Sequence, residues 1–220
     1  MKKEQWLLPL NFVAAIIIAI LVITASVTFT LFDRGAYERM QERIDLPAAV
    51  GISEEELLAN YNALIDYNSV FFTGPLEFPT LGMSETGRIH FEEVKAIFSI
   101  IQIALIISAA LTILLCVSLL RRRRYRFLAL GGILTLAIPA VIIAIMGAVG
   151  WDRFFVLFHE LFFNNEYWVF DAATDPVILI LPDTFFLSCL IRIVTGIVVS
   201  GAALIVCSGL MRRRDARSGS

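Results

Sequence analysis

Charged residues are scarce in this sequence. They account for 17% of its 220 residues, whereas 58% are hydrophobic and the mean hydropathy is +0.80. Soluble globular domains carry about 25% charged residues, because their surface must be polar. The scarcity of charge therefore excludes an ordinary soluble domain and indicates a membrane protein.

Cysteine is rare too, and several well-known catalytic motifs are missing. The three cysteines, Cys116, Cys189 and Cys207, fall in long apolar runs and have no CxxC spacing. This pattern offers neither a disulfide framework nor a zinc site. The sequence also lacks a GxSxG motif, a phosphate-binding loop and a dinucleotide-binding fingerprint. None of the enzyme classes built on those motifs is indicated.

Long hydrophobic runs, by contrast, are abundant. A helix needs about 20 apolar residues to cross a hydrocarbon layer of about 30 Å. Four runs meet that length, over residues 7–32, 97–120, 127–149 and 187–211. The first run is longer than the roughly 7–15 apolar residues of a signal peptide, so we interpret it as a helix. We predict an all-α membrane protein that forms one domain over residues 1–220 and has four transmembrane helices.

The distribution of charge predicts the orientation of these helices. The segments before the first run, between the second and third, and after the fourth hold 11 of the 18 basic residues but only two acidic ones, Glu4 and Asp215. Basic residues concentrate on the cytoplasmic side of a membrane, so both termini are predicted to be cytoplasmic. The RRRRYR run at 121–126 is better explained as a topology anchor than as a nucleic-acid site.

The two segments on the other side, 33–96 and 150–186, contain the other 18 acidic residues and both histidines. Ser53 and Glu56 have the spacing of a capping box, and the apolar residues that follow lie on one helical face. Ser84 is predicted to cap a helix that continues through His90 into the second span. We therefore expect a helical extracytoplasmic cap, and we expect the C-terminal RDARSGS to be disordered.

Both histidines, His90 and His159, are predicted to lie close to a span boundary on that side. At 1.5 Å per residue, each is within roughly 10–12 Å of the boundary. Imidazole suits proton transfer near neutral pH, although interfacial histidines also occur without any chemistry. Metal binding is a further alternative, with Glu93 and Glu160 as carboxylate ligands, although the spacing matches no known zinc signature.

Arg192 is the other unusual residue, because it is predicted to lie about 10 Å below the membrane surface. A charge at that depth usually faces an interior cavity or a partner. We therefore consider Arg192 a candidate for binding an anion or a carbonyl. Structural pairing with Gln102 at similar depth, or extension of the side chain toward the surface, would explain it equally simply.

The stretch FHELFFNNEYWVFDAATDPVILILPDTFF resembles the bacterial lipoprotein intramolecular transacylases, a family of four-span membrane proteins. The matching positions are Phe158, His159, Phe162, Phe163, Asn165, Trp168, Asp175, Pro176, Leu181, Pro182, Phe185 and Phe186. A second stretch, HFEEVK at 90–95, resembles the histidine motif of the family at the entry to span 2. Three positions depart from the family pattern: Glu93 and Glu166 replace aspartate, and Ala172 replaces proline.

This resemblance implies an acyltransferase that moves the sn-2 acyl chain of an S-diacylglyceryl-cysteine to the α-amine of the same cysteine, giving a lyso-form lipoprotein. His90 and His159 would form the catalytic dyad, with Asn165 or Arg192 as oxyanion donors. Trp168 and Glu93 would be further substrate contacts. The resemblance also implies a bacterial plasma-membrane protein, with its site on the extracytoplasmic side, that needs no cofactor or metal.

The expected partners are a diacylated lipoprotein and membrane lipid, without nucleic acid, and we expect a monomer. The alternatives are a non-enzymatic sensor or assembly subunit and a metal-dependent lipid hydrolase.

Overall fold

The computed structural model of the protein describes residues 7–218, with side chains from 9 to 217. Lys2, Lys3 and Glu4, which contributed to the predicted orientation, and residues 219–220 of the C-terminal tail lie outside the described residues. The described residues form helices α1 to α9, which are Leu7–Phe32, Arg34–Arg43, Leu46–Val50, Glu54–Tyr67, Glu85–Arg121, Arg126–Val149, Trp151–Phe162, Val177–Ile180 and Asp183–Ser218. No strand occurs between residues 7 and 218, as the predicted all-α class requires.

Four of these helices, α1, α5, α6 and α9, are long and apolar enough to cross a membrane. Two of them extend well beyond the predicted spans, because no proline interrupts the sequence where they extend. Helix α5 has 37 residues, and α9 has 36. The predicted disorder of RDARSGS is wrong for residues 214–218, which continue α9. Arginine, alanine and aspartate tolerate a helix there, and Asp215 forms an ion pair of 3.7 Å with Arg123.

The described residues divide into two units. The first, which we call the span unit, comprises 7–27, 102–148 and 192–218. Glycines allow its helices to pack backbone against backbone: a Cβ at Gly132 would lie only 2.5 Å from the carbonyl oxygen of Gly201. Small residues at such crossings are typical of membrane helices, whose association depends on close packing. The hydroxyl of Ser208 also donates a hydrogen bond of 2.7 Å to the carbonyl of Tyr125.

The second unit, which we call the histidine unit, comprises residues 28–101 and 149–191. Its core contains Tyr37 stacked on Tyr61, with ring centroids 3.8 Å apart, and both rings meet Phe185 edge-on. The Tyr37 hydroxyl donates a hydrogen bond of 2.9 Å to the carbonyl of Ile180, so the one polar atom of this buried ring is satisfied.

Helix α4 contributes the predicted apolar face to this core. The capping box of Ser53 and Glu56 is present, and Leu57 and Leu64 are buried on the face that was predicted. Asn60 is fully buried on the same helix. Its amide donates to the Thr80 hydroxyl at 2.7 Å, and its carbonyl oxygen accepts from the backbone of Thr80 at 3.2 Å. These bonds hold the chain that leads into α5.

Candidate active site

The two histidines lie side by side in the histidine unit. His90 is in the second turn of α5, and His159 is in the last turn of α7. Their ring centroids are 6.2 Å apart, and the ring planes are inclined by 33°. His90 is only 6% exposed, while His159 is half-buried. Residues separated by 69 positions in the sequence are thus close enough to act on one bound group.

The position of His90 depends on how α5 begins. The Ser84 hydroxyl accepts a hydrogen bond of 3.0 Å from the backbone N–H of Gly87, which confirms the predicted cap. The backbone N–H of Ser84 in turn donates to the buried carboxylate of Asp175 at 2.8 Å. The other oxygen of Asp175 accepts from the Thr174 hydroxyl at 2.7 Å. This carboxylate fixes the start of the helix that carries His90.

A hydrogen bond determines the tautomer of His159. Its Nδ1 lies 2.7 Å from the backbone carbonyl oxygen of Phe155, one helical turn earlier. A carbonyl oxygen can only accept, so Nδ1 carries the hydrogen and Nε2 of the neutral ring keeps its lone pair. Burial lowers the pKa of His159, and the bond to the Phe155 carbonyl opposes part of that shift. The ring is therefore a neutral base at pH 7.

Aromatic rings surround both imidazoles. Phe163 touches both of them, with centroid distances of 4.7 Å to His90 and 5.7 Å to His159. Phe155 lies 4.3 Å from His159, and Phe170 lies 5.5 Å from His90. The Trp168 indole stacks on His159 at 4.6 Å. We call these rings the aromatic enclosure; they are apolar, so they can contact hydrocarbon and limit the access of water to the imidazoles.

Glu93 and Asn165 connect the two chain segments beside the histidines. The Asn165 amide donates a hydrogen bond of 2.9 Å to Glu93 Oε1. The backbone carbonyl of Asn165 accepts from the Trp168 indole N–H at 3.0 Å. Asn165 thus joins the Glu93 carboxylate to the tryptophan that stacks on His159. The sequence indicated all three residues, but it gave no sign that they form one hydrogen-bonded chain.

The carboxylates proposed as metal ligands have other partners. Glu93 is bonded to Asn165, and the exposed Glu160 pairs with Arg153 at 3.6 Å. Throughout residues 7–218, no three His, Cys, Asp or Glu side chains gather where they could hold a metal ion. The residues therefore do not support the interpretation as a metal site.

Arg192 and Gln102 belong to the span unit. Arg192 is half-buried and Gln102 is buried. Each has an interaction partner. A contact between the two residues, and a role for Arg192 in binding, remain predictions.

The sequence did not indicate all of the residues that shape this site. It gave no role to Gly87, or to Phe155 and Phe170, whose rings touch the histidines. A glycine in the first turn of a long helix was a usable signal, because glycine disfavours helices unless something needs the space. Asp175 appeared in the sequence pattern, but without a function.

The fold and the site together define a multi-span helical membrane protein with two neighbouring imidazoles among aromatic rings. Residues 12–186 match the sequence model of a family described as lipoprotein intramolecular transacylase Lit. The chain belongs to this family. It is an acyltransferase of the membrane that acts on lipoproteins, and the predicted family and enzyme class are confirmed.

Solved structures support the same assignment. The chain is similar to the membrane integral lipoprotein intramolecular transacylase Lit from Bacillus cereus, determined in meso, with 29% sequence identity and a TM-score of 0.92. The match covers 99% of this chain and 100% of that one.

Two structures of the same Bacillus cereus protein, each with one histidine replaced, also match. The arginine variant has a TM-score of 0.86 at 28% identity, over 99% of this chain and 100% of that one. The alanine variant has a TM-score of 0.88 at 29% identity, over 98% and 97%. No curated protein matches the sequence. These matches favour the transacylase over a sensor subunit or a lipid hydrolase.

Proposed function

We propose that the protein transfers the sn-2 acyl chain of an S-diacylglyceryl-cysteine to the α-amine of that cysteine, with His90 and His159 as the catalytic pair. The observation that carries this proposal is the 6.2 Å separation of the two imidazoles inside an aromatic enclosure. Amine and ester belong to one molecule, so their proximity replaces a covalent acyl-enzyme and no nucleophilic serine is needed.

His159 is the general base in this proposal. Its Nε2 has a free lone pair, because Nδ1 donates to the Phe155 carbonyl. The same bond stabilises the imidazolium that forms when Nε2 takes a proton from the amine, since a carbonyl oxygen interacts more strongly with a charged donor. His159 then returns this proton to the glyceryl oxygen when that oxygen leaves.

His90 has a different role, because it is more deeply buried and packs against Phe163 and Phe170. Burial among apolar rings disfavours a charged imidazole, so His90 acts in its neutral form. A neutral imidazole still carries one N–H, which can donate to the ester carbonyl oxygen while negative charge develops on it. Asn165 and Arg192 are the other candidate donors to that oxygen, and Trp168 is a candidate contact for the acyl chain.

The proposed reaction conserves protons and bonds. The bound ammonium gives one proton to His159, and the neutral amine forms a C–N bond with the ester carbon. The C–O bond to the glyceryl oxygen then breaks, and the imidazolium protonates that oxygen. The nitrogen loses its surplus proton to solvent before that C–O bond breaks, because a protonated amine would leave in preference to the glyceryl oxygen. The products are an N-acyl cysteine and a glyceryl hydroxyl, and no external oxidant, nucleotide or metal takes part.

We also propose that the site faces the extracytoplasmic side of a bacterial plasma membrane and that the protein acts as a monomer, without nucleic acid. The concentration of basic residues in the segments predicted to be cytoplasmic supports this orientation. The partners would be the diacylated lipoprotein and the surrounding membrane lipid.

Mass spectrometry of a reporter lipopeptide tests the proposed function. The purified protein receives an S-diacylglyceryl-cysteine peptide, and fragmentation reports whether an acyl chain has moved to the α-amine. We expect transfer by the wild type. Loss of the general base costs roughly 10²–10⁴-fold in rate, so His159→Ala should lose most of its activity. His159→Gln controls for hydrogen bonding without proton exchange. Near-normal transfer by His159→Ala would refute the assigned role.

A further inference from the structure

Two ionisable side chains of the histidine unit have a buried polar atom without a hydrogen-bond partner. Within the described part of the chain, these atoms are Nδ1 of His90 and Oε2 of Glu93. Both side chains are on α5, three residues apart, and therefore on the same face of the helix. A buried carboxylate oxygen without a partner is expensive, since its hydration is lost and nothing replaces it.

The other oxygen of the Glu93 carboxylate, Oε1, has a hydrogen-bond donor. Oε1 accepts the hydrogen bond of 2.9 Å from the Asn165 amide. The side-chain carbonyl oxygen of Asn165 accepts from the backbone N–H of Tyr167 at 3.0 Å, which fixes the orientation of the amide group. One carboxylate oxygen is therefore engaged, and the other, Oε2, stays available to a donor that the protein itself does not supply.

The cationic side chains nearest to Glu93 in the sequence are engaged elsewhere. Lys95 donates to the carbonyl of Phe72 at 2.9 Å, and its ammonium lies 4.2 Å from the centre of the Tyr67 ring. Arg88 pairs with the carboxylates of Glu85 and Glu92. None of these contacts reaches Glu93, so its Oε2 is left for a donor from a ligand.

We propose that Glu93 Oε2 binds the α-ammonium group of the lipoprotein's N-terminal cysteine, an inference that rests on the proposed function. An ammonium group offers three N–H donors and a positive charge, which match an unsatisfied carboxylate oxygen. Glu93 orients the nitrogen, and His159, which stacks on the tryptophan bonded to Asn165, removes its proton. Glu93 is thus a substrate-binding residue in addition to the two histidines.

This role gives the enzyme a way to choose its substrate. A lipoprotein whose α-amine is already acylated has no positive charge, and it would leave the Glu93 oxygen buried and unpaired. Sites that hydrogen-bond a substrate group reject analogues that lack it far more strongly than apolar pockets reject a missing methylene. The site therefore selects lipoproteins with a free N-terminal amine.

Binding of lipopeptides that cannot react tests this inference. Three diether analogues, in which ether bonds replace both esters, carry a free amine, no amine or an N-acetyl group. They are titrated against the full-length protein in lipid nanodiscs. The free-amine analogue should bind wild type at least tenfold more tightly than the other two. Glu93→Gln keeps an acceptor for Asn165 but removes the charge, so it should abolish this preference.

The exposed neighbour Glu92 supplies the matched control. Glu92→Gln removes one carboxylate from the same helix, and it should keep the tenfold preference. Equal binding of the free-amine and des-amino analogues by wild type would overturn the inference, whether or not the Glu93 variant folds. So would a preference retained in a folded Glu93→Gln protein.

The proposed function is judged separately from these titrations. If wild type fails to convert the ester lipopeptide, the proposed function fails. The diether titrations still report whether Glu93 binds an ammonium group.

Discussion

Replacing Gly87 with alanine should damage the protein, although alanine normally stabilises a helix by about 1 kcal/mol relative to glycine. A Cβ at position 87 would overlap Oδ1 of Asp175 and lie 3.1 Å from its Cγ. The carboxylate cannot move away freely, because it is 2% exposed and accepts the hydrogen bond from the Ser84 backbone. The clash must therefore displace either the carboxylate or the start of α5.

The size of the effect follows from the groups involved. Overpacking a well-packed site costs typically about 1–3 kcal/mol. Weakening a hydrogen bond to a charged group adds about 1.5–3 kcal/mol, against the gain of about 1 kcal/mol in helix propensity. We expect a net loss of about 2 kcal/mol or more, which lowers the melting temperature of a chain of this size by roughly 4–8 °C.

Activity should fall as well, because His90 is one turn beyond Gly87 and moves with it. A displacement of about 1 Å at a catalytic group can reduce the rate about 10²-fold. The assay combines thermal unfolding in detergent with the lipopeptide transfer rate. Gly82→Ala is the control, since its Cβ would meet only the Thr174 carbonyl oxygen at an ordinary 3.7 Å.

A second substitution tests the cause of the damage. Asp175→Ala removes the carboxylate that the new methyl group would strike. In that background, Gly87→Ala should add little further loss, so the two changes should be strongly non-additive. If Gly87→Ala melts at the same temperature as Gly82→Ala, the reasoning is refuted.

Three further predictions concern the reaction. The transfer rate should fall in acid as His159 becomes protonated. Because burial lowers the pKa of His159, the most acidic inflection of the pH–rate profile should lie below 6.5. A profile whose most acidic inflection lies at or above 6.5 would contradict this. Isotopically labelled acyl chains should stay on their original peptide when two lipopeptides are mixed, whereas label crossing between them would favour a covalent acyl-enzyme. Arg192→Lys keeps the charge but loses the planar guanidinium, so it should reduce the transfer rate if Arg192 binds an anion through two hydrogen bonds. An unchanged rate would argue for a structural role.

Much of the fold could be predicted from the hydrophobic runs and the helix caps in the sequence. The four spanning helices, the capping box of Ser53 and the cap at Ser84 all follow from local patterns, because helix formation and termination depend on neighbouring residues. The extension of α9 through residues 212–218 did not follow. A polar, charged tail is compatible with both disorder and helix, and contacts such as that between Asp215 and Arg123 are not visible in the order of residues.

The candidate site was predictable only in part. The sequence indicated that His90 and His159 lie at similar heights, and the resemblance to the family made them a pair. The bond from His159 to the Phe155 carbonyl, and the unsatisfied oxygen of Glu93, depend on side-chain rotamers and on contacts between distant segments. Such features appear only when the chain is folded, so the proposals for the base and for the ammonium site rest on the structure.

The aromatic enclosure around the histidines has a consequence for the range of lipids that the enzyme can process. Phenylalanine and tryptophan rings make similar apolar contacts along the whole length of a hydrocarbon chain. One additional or missing methylene changes the free energy of binding in an apolar pocket by only about 1–3 kcal/mol. In the proposed mechanism, recognition at the amine end, beside His159 and Glu93, is far more demanding. A transacylase with apolar walls can therefore accept acyl chains that differ by a methylene or a branch.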